Sequence, residues 1–338
     1  MQAVVKAEAG PGFEVRDVDE PVAAPGELLL RVVAASVCGS DVHLYDWNPW
    51  AQSRLRPPRV VGHEICGEVV GGDGAGGLAA GTRVAVESHI TCGQCPECLR
   101  GDLHVCGNTR ILGVDVDGGF SSLVAIPAAN AHPVGSMEPS VAAAMEPFGN
   151  AVHACSSGDL VGATVAVFGC GPIGCAAVAV ARARGAQRII AIDRNAYRLD
   201  LAERMGADAL IVVSDHLQSD VAAAAGRPLD CALEMSGAES ATVAAVRLVR
   251  PGGWIALLGI GDTPTSLDLS RDVVMKGLTL HGITGRRIPQ TWDATTAYIR
   301  DGVLDPGVLI THTFAMGDID EAVALMKSGR CGKVSLLP

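Results

Sequence analysis

The chain predicts an α/β protein: a doubly wound parallel sheet joined to a β-rich domain that carries its chemistry on loops. Three observations predict it. From about residue 150, short apolar strands alternate with helices of ten or more residues, the rhythm of a parallel sheet covered on both faces. Before that point the chain reads as strands broken by glycine- and proline-rich turns. A G-x-G-x-x-G run, Gly169 to Gly174, lies between a predicted strand and a predicted helix. The 338 residues suffice for two domains, and 49 % apolar against 19 % charged residues excludes wholesale disorder.

Taken in order, VVKAE and ELLLRVVAAS read as strands separated by the turns PGF and APGE. Residues 36–75 are rich in glycine, proline and histidine and read mostly as loop, with a short strand at 68–70. RVAVE at 83–87 is a strand, a cysteine-rich lobe of loops follows, and 120–135 hold two more short strands. The run GGDGAGG at 71–77 reads as a surface turn. In the second region, strands are expected at 164–168, 188–193, 209–213, 230–236, 253–260 and 278–283. Helices at 172–184, 196–205, 215–225 and 240–249 connect them. After about residue 285 come a helix (290–301), a strand (310–314), a helix (318–328) and a last strand (333–337).

Charge and composition exclude several functions. Lys and Arg number 26 against 37 Asp and Glu, a net charge of −11, so a phosphate backbone is not an expected partner. Aromatic residues are only 4 %, too few for a stacking surface for single strands. The N-terminal stretch has no long apolar core and soon turns acidic, so a cytoplasmic rather than secreted protein is expected. Residues 160–181 carry no charge and are long enough to span a bilayer, but four glycines and a proline interrupt them. No membrane association is expected. Six of the eleven cysteines are scattered and read as buried thiols of a reducing compartment.

Gly169, Gly171 and Gly174 each have a distinct job in a dinucleotide site. The first makes the tight turn, the second lets backbone approach a pyrophosphate, and the third lets helix pack on strand. Pro172 and Ile173 then open a helix whose N-terminus faces the phosphates. Asp193 ends the next strand, 19 residues after Gly174, where its carboxylate accepts from an adenosine ribose and repels a 2′-phosphate. NAD is the expected cofactor. Arg194 and Arg198 pull the other way, because an arginine there could hold that phosphate.

Cys92-x2-Cys95-x2-Cys98-x7-Cys106 is the most specific signal in the chain. Four thiolates make a closed tetrahedral zinc site with no open position, hence a structural one. A redox pair, an iron–sulfur cluster and a nucleic-acid-binding zinc ribbon are the competing readings. A second group is dispersed: Cys38, Ser40, Asp41 and His43 within six residues, then His63 and Glu64 side by side, and Glu146 further on. Cys, His and Glu together hold zinc and leave a position for a substrate oxygen. Taken singly, Cys38 or His63 is more often a packing residue than a ligand.

The segments Val37-Cys38-Gly39-Ser40-Asp41-Val42-His43, Tyr45 to Gln52, Val61-Gly62-His63-Glu64 with Gly67 to Val70, His89 to Gly93, Glu146 to His153 and Gly329 to Val334 together resemble those of one family. It is the zinc-containing medium-chain dehydrogenases, and within them the L-threonine 3-dehydrogenases, along essentially the whole chain. The resemblance implies a split GroES-like catalytic domain at 1–148 and 285–338, with its structural zinc lobe at 88–110. It implies a Rossmann NAD-binding domain at 149–284. It implies two zinc ions per chain, the catalytic one on Cys38, His63 and Glu64 with Glu146 as an exchangeable ligand. Ser40 and His43 become a proton relay, and the assembly a homotetramer. Four positions depart from the family: Ser40 in place of threonine, Ser88 in place of glycine, Gln290 in place of glutamate and Asp293 in place of tyrosine.

The expected activity is hydride transfer from a secondary alcohol to NAD, with L-threonine as substrate and 2-amino-3-oxobutanoate as product. A polyol, diol or amino-cyclitol of a biosynthetic pathway is the alternative substrate. A non-catalytic nucleotide-binding relative is the reading of another class. It would have lost zinc ligands or relay residues, and this chain has them all.

Overall fold

The computed structural model describes residues 1–72, 77–261 and 263–338. Most of the glycine-rich run at 71–77 therefore lies outside the described residues. The chain forms two compact units, Met1–Pro147 with Ile310–Pro338, and Phe148–Leu309.

The first unit is built on a seven-stranded sheet. Its longest strand, Glu27–Val37, is antiparallel to Glu64–Gly72 on one side and to Lys333–Leu337 on the other. Leu28, Leu30, Val32, Ile65, Val69, Val334 and Leu336 fill the core between this sheet and its covering helices. Two expectations for 36–75 need correction. The strand is not confined to 68–70 but runs over Glu64–Gly72, because Ile65 and Cys66 are as buried as Val69. Two helices, Gly39–Asp46 and Pro49–Arg54, occupy what reads as loop; Asn48 caps the second by accepting from Ala51 N at 3.0 Å. The cysteine lobe is loop except for a short helix, Pro96–Leu99, a 3-10 turn, Leu103–Val105, and a two-stranded ladder of His89–Ile90 with Arg110–Ile111.

The second unit is a six-stranded, all-parallel sheet. Its spatial order is Ala209–Val212, Arg188–Asp193, Thr164–Phe168, Leu229–Glu234, Val249–Leu257, Thr279–Gly282. In sequence order that is 3-2-1-4-5-6, two mononucleotide-binding halves meeting beside the first strand. The uncharged run 160–181 is mainly the buried strand Thr164–Phe168 and the buried helix Pro172–Ala183. Among the described residues no helix is long and apolar enough to cross a membrane.

By internal contacts the second unit runs on to Leu309, past the boundary at 285 that the resemblance implies. Contacts inside the second unit explain the difference. Arg286 is buried, donates to Asn150 Oδ1 at 3.2 Å and packs over Gly149, where a Cβ would meet its side chain at 2.7 Å. His153 Nδ1 donates to Gly285 O at 2.9 Å, and Pro306–Leu309 packs on Pro172–Ala183 and Ala196–Arg204. These long-range contacts leave no mark on local sequence pattern.

Candidate functional site

In the first unit, three strand ends converge. Ser36 pairs with Glu64 across one ladder and with Ser335 across the other. The end of Glu27–Val37 therefore lies between the start of Glu64–Gly72 and the start of Lys333–Leu337. Cys38 follows directly and stands at the N-terminus of the helix Gly39–Asp46. Gly62, at φ +92°, makes the bend that leads into His63 and Glu64; a Cβ there would strike Phe120 at 2.1 Å.

This folding brings one ligand atom each of Cys38, His63 and Glu64 within 4.8 Å of one another. His63 is 6 % exposed and Glu64 fully buried. His63 Nε2 lies 3.4 Å from Ser40 Oγ, and its Nδ1 lies 3.6 Å from Asp41 Oδ1. Those two facing atoms, His63 Nδ1 and Asp41 Oδ1, are buried without a hydrogen-bond partner among the described residues. Asp41 Oδ2 accepts from Cys38 N at 2.8 Å, which fixes Asp41 to the thiol's backbone with its other oxygen facing the imidazole. A carboxylate behind an imidazole sets the tautomer of a metal-ligating histidine. Burial lowers the pKa of His63, but Asp41, Cys38 and Glu146 together lift it to about 10. Surroundings that hold a proton so firmly on a buried imidazole favour a cation. One thiol, one imidazole and one carboxylate, with orphaned atoms at the orienting contact, fit a catalytic zinc.

Glu64 is itself held from behind. Its Oε1 accepts from Lys333 Nζ at 2.5 Å, and its Oε2 from Ser36 Oγ. Burial works against the charge on Lys333, but Glu64, Cys38 and Glu146 more than reverse this and keep the ammonium protonated. Glu146 lies outside the three-ligand group among the described residues. It is buried and its Oε1 accepts from Ser88 Oγ at 2.5 Å, so one departure from the family touches a site carboxylate. Ser40 is half-buried and His43 exposed, with His43 Nδ1 3.0 Å from Asn48 Nδ2. Of the two side chains that could have capped the helix Gly39–Asp46, Asp41 bonds the Cys38 backbone, while Ser40 faces His63.

The four-cysteine lobe brings all four sulfurs within 4.8 Å of one another. Cys106 Sγ lies 3.6 Å from Cys92 Sγ and 3.8 Å from Cys95 Sγ. A tetrahedron with Zn–S near ~2.3 Å has edges of about 3.8 Å, whereas a disulfide needs about 2.05 Å. All eleven cysteines are free. Backbone N–H groups, Gln94's first, and the Asn108 amide lower the Cys92 thiol to about 6, while desolvation pushes Cys98 up to about 12. Four sulfurs this close ionise together only around a cation.

In the second unit the glycine-rich loop lies at the C-terminal end of Thr164–Phe168, beside the strand-order reversal. Gly169 has φ +89° and abuts Ser236; a Cβ on Gly174 would lie 1.9 Å from Gly169 O. Gly171 has open space around its missing Cβ, the clear approach a pyrophosphate needs. The helix begins at Pro172 with Ile173 in its first turn. Asp193 is 6 % exposed, and both its oxygens are engaged: Oδ2 accepts from Cys170 N at 2.7 Å and Oδ1 from Asn195 N at 2.8 Å. It thus braces the loop, with carboxylate lone pairs remaining for a ribose. Arg198 is half-buried in the next helix, Ala196–Arg204.

Sequence reasoning missed four residues here. Lys333 and Ser36 were silent because their partner is distant in the chain. Ser88 stood out only as a departure. Glu234, buried at the end of Leu229–Glu234, accepts from Ser236 N at 2.8 Å and so fixes the residue that packs on Gly169. Asp41 was visible as a carboxylate three residues after Cys38, the spacing that closes a helix N-terminus.

Comparison with known proteins agrees with this geometry. The alcohol dehydrogenase GroES-like domain family matches residues 24–136, and the zinc-binding dehydrogenase family matches residues 172–300. A curated L-threonine 3-dehydrogenase of Bacillus licheniformis is 44 % identical, over 100 % of this chain and 99 % of its own. A crystal structure of an E. coli alcohol dehydrogenase (rspB) complexed with NADH superposes with a TM-score of 0.91 at 29 % identity, covering 100 % of this chain and 99 % of that one. A zinc-binding dehydrogenase from Sinorhizobium meliloti bound to NADP does so at 0.90 and 27 %, with coverage of 100 % and 99 %. With a metal-capable thiol–imidazole–carboxylate group in one unit and a dinucleotide loop in the other, the chain belongs to the zinc-containing medium-chain dehydrogenases and is an alcohol dehydrogenase-type oxidoreductase that uses zinc and NAD(P).

Proposed function

We propose that this oxidoreductase oxidises the secondary hydroxyl of L-threonine to give 2-amino-3-oxobutanoate, with NAD as acceptor. It carries two zinc ions per chain, one on Cys38, His63 and Glu64 and one on Cys92, Cys95, Cys98 and Cys106. The observation that carries the chemistry is the Cys38, His63 and Glu64 group, its ligand atoms within 4.8 Å, with the Ser40 hydroxyl 3.4 Å from the imidazole. The substrate rests on the full-length likeness to a threonine 3-dehydrogenase. Zinc on that group supplies the Lewis acidity that lowers an alcohol's pKa toward neutrality, and NAD supplies the hydride acceptor.

The chain's own residues do the rest. Asp41 holds the imidazole of His63 in orientation. Ser40 Oγ accepts the hydroxyl proton and passes its own onward, and exposed His43 releases a proton to water. Glu146 adds negative charge beside the group. Gly171 and the N-terminus of Pro172–Ala183 receive the pyrophosphate. Asp193 and Arg198 stand near the ribose, and Asp193 selects against a 2′-phosphate. Replacing Asp193 with Ala should weaken NAD binding and narrow the gap to NADP; a wild-type enzyme that already prefers NADP would contradict this assignment. The protein assembles as a homotetramer in the cytoplasm, which light scattering on the purified protein tests.

Oxidation of a polyol, diol or amino-cyclitol is the second reading. Gln290, exposed at the start of Gln290–Arg300, stands where the family has a glutamate and favours it, since a lost carboxylate alters recognition of an ammonium group. NADH formation with L-threonine, L-serine, 2,3-butanediol, sorbitol and an amino-cyclitol separates the two. Threonine should give the highest kcat/KM; turnover of a polyol without threonine turnover reverses the assignment.

A further inference from the structure

The Gly329–Val334 segment carries the family resemblance, yet its lysine has no part in the activity derived so far. Lys333 is 4 % exposed, and its partner carboxylate, Glu64, is fully buried. Its Nζ donates to Val37 O at 2.9 Å and to Glu64 Oε1 at 2.5 Å, and forms an ion pair with Oε2. Ser36 Oγ also donates to Oε2. Both oxygens of a metal-ligating carboxylate are therefore already engaged, one of them twice, from the side of the sheet. A buried ion pair stabilises a fold poorly compared with apolar packing, so its presence at a ligand calls for a chemical reason.

We propose that Lys333 is a positioning residue of the metal centre: with Ser36 it holds Glu64 by both oxygens and shares its charge, so that Glu64 binds zinc less strongly than a free carboxylate would. The consequence is electronic. Zinc facing Cys38, His63 and a charge-shared Glu64 keeps more of its positive charge for the alcohol oxygen. The cost is a weaker hold on the metal. Three strand ends must meet to build this arrangement, and the carboxylate and the ammonium are 269 residues apart in sequence.

The inference rests on the assignment of Glu64 as a ligand, and the test separates the two. Zinc release from the holoenzyme into a chromogenic chelator is followed for wild type, Lys333→Met, Lys333→Arg, Glu64→Gln and the Lys333→Met/Glu64→Gln pair. Outer contacts to metal ligands change affinity by about 10–100-fold. Lys333→Met should slow release from the catalytic site by about tenfold and shift the ligand-field spectrum of the cobalt-substituted enzyme. Lys333→Arg, which keeps the charge, should stay near wild type. In the Glu64→Gln background, Lys333→Met should change release less than about twofold, because its effect passes through the carboxylate. Release from Lys333→Met as fast as wild type or faster overturns the proposal, as does an equal effect in the Glu64→Gln background. Should Lys333→Met not fold, Ser36→Ala frees one oxygen of Glu64 alone and must also slow release; unchanged release there overturns the proposal equally. If Glu64→Gln leaves zinc release and the cobalt spectrum unchanged, the ligand assignment itself fails and the inference with it.

Discussion

The first unit holds two cysteine-bearing groups that differ in almost every respect. The lobe at Cys92–Cys106 draws four like ligands from a short stretch, with only a four-residue helix and a three-residue 3-10 turn among them. The group at Cys38 draws three unlike ligands from two segments. It is backed by Asp41, Ser36 and Lys333, and Ser40 and Glu146 add their groups beside it. Four thiolates would satisfy a metal completely, and the groups bonded to them are backbone N–H groups and the Asn108 amide. Three ligands would leave a position open on a tetrahedral metal, and side chains that donate and carry charge surround the group. A closed set of like ligands serves the fold; an incomplete, mixed set serves chemistry.

Substitutions in the two groups should therefore fail differently. Cys38→Ser should abolish turnover while NAD binding persists and one zinc per chain remains, measured by steady-state kinetics, NADH fluorescence and metal analysis. Retained turnover would erase the distinction. Ser40→Ala keeps the metal but loses the hydroxyl beside His63, and should slow turnover by about 10²–10⁴ near neutral pH. Raising the pH should restore part of that rate, as hydroxide takes the proton directly, and Ser40→Thr should be nearly silent. A Ser40→Ala pH profile parallel to wild type and within about threefold of it would remove Ser40 from the chemistry.

Cys95→Ser should act through stability. One zinc is lost and the melting temperature falls, while turnover per folded molecule changes little; a fully stable variant with two zincs would refute the structural role. The mildest expectation concerns Lys6, the unit's other buried lysine, which donates to Gly12 O at 3.0 Å and Tyr45 O at 3.3 Å. Unlike Lys333 it has no buried carboxylate. Desolvation lowers its pKa from 10.5 to about 8, with Asp46 opposing. Between those values the unfolded chain binds more protons than the folded one, so stability should rise as pH increases from about 8 to 10.5. At about 1.4 kcal/mol per pKa unit the gain is at most about 3.5 kcal/mol. Urea midpoints across that range should show the slope in wild type and a flatter profile in Lys6→Met.

The cysteine lobe and the glycine-rich loop were legible because their chemistry is local. Cys92, Cys95, Cys98 and Cys106 fall within one short stretch, and Gly169, Gly171 and Gly174 each answer to a clash or an opening made by the turn they form. The strand–helix alternation read off the second half corresponds closely to the parallel sheet, since buried parallel strands are continuous apolar runs. The helix at Gly39–Asp46 was harder to place. Its apolar residues trace no stripe, and it is fastened instead by Asp41 to the Cys38 backbone and by Lys6 to the Tyr45 carbonyl.

The rest belongs to long-range pairing. Cys38, His63 and Glu64 stood in the sequence as separate residues, and Cys38 or His63 alone is more often packing than ligand. They become one group because Ser36 pairs with Glu64 in the sheet. Lys333 had no visible partner, the return to the first unit at Ile310 followed from buried Arg286, and the buried carboxylate of Asp193 turned out to brace its own loop. Residue type and spacing encode interactions across a few turns of chain. Antiparallel registers and buried ion pairs join positions hundreds of residues apart, and their partners are chosen by the packing of the sheet.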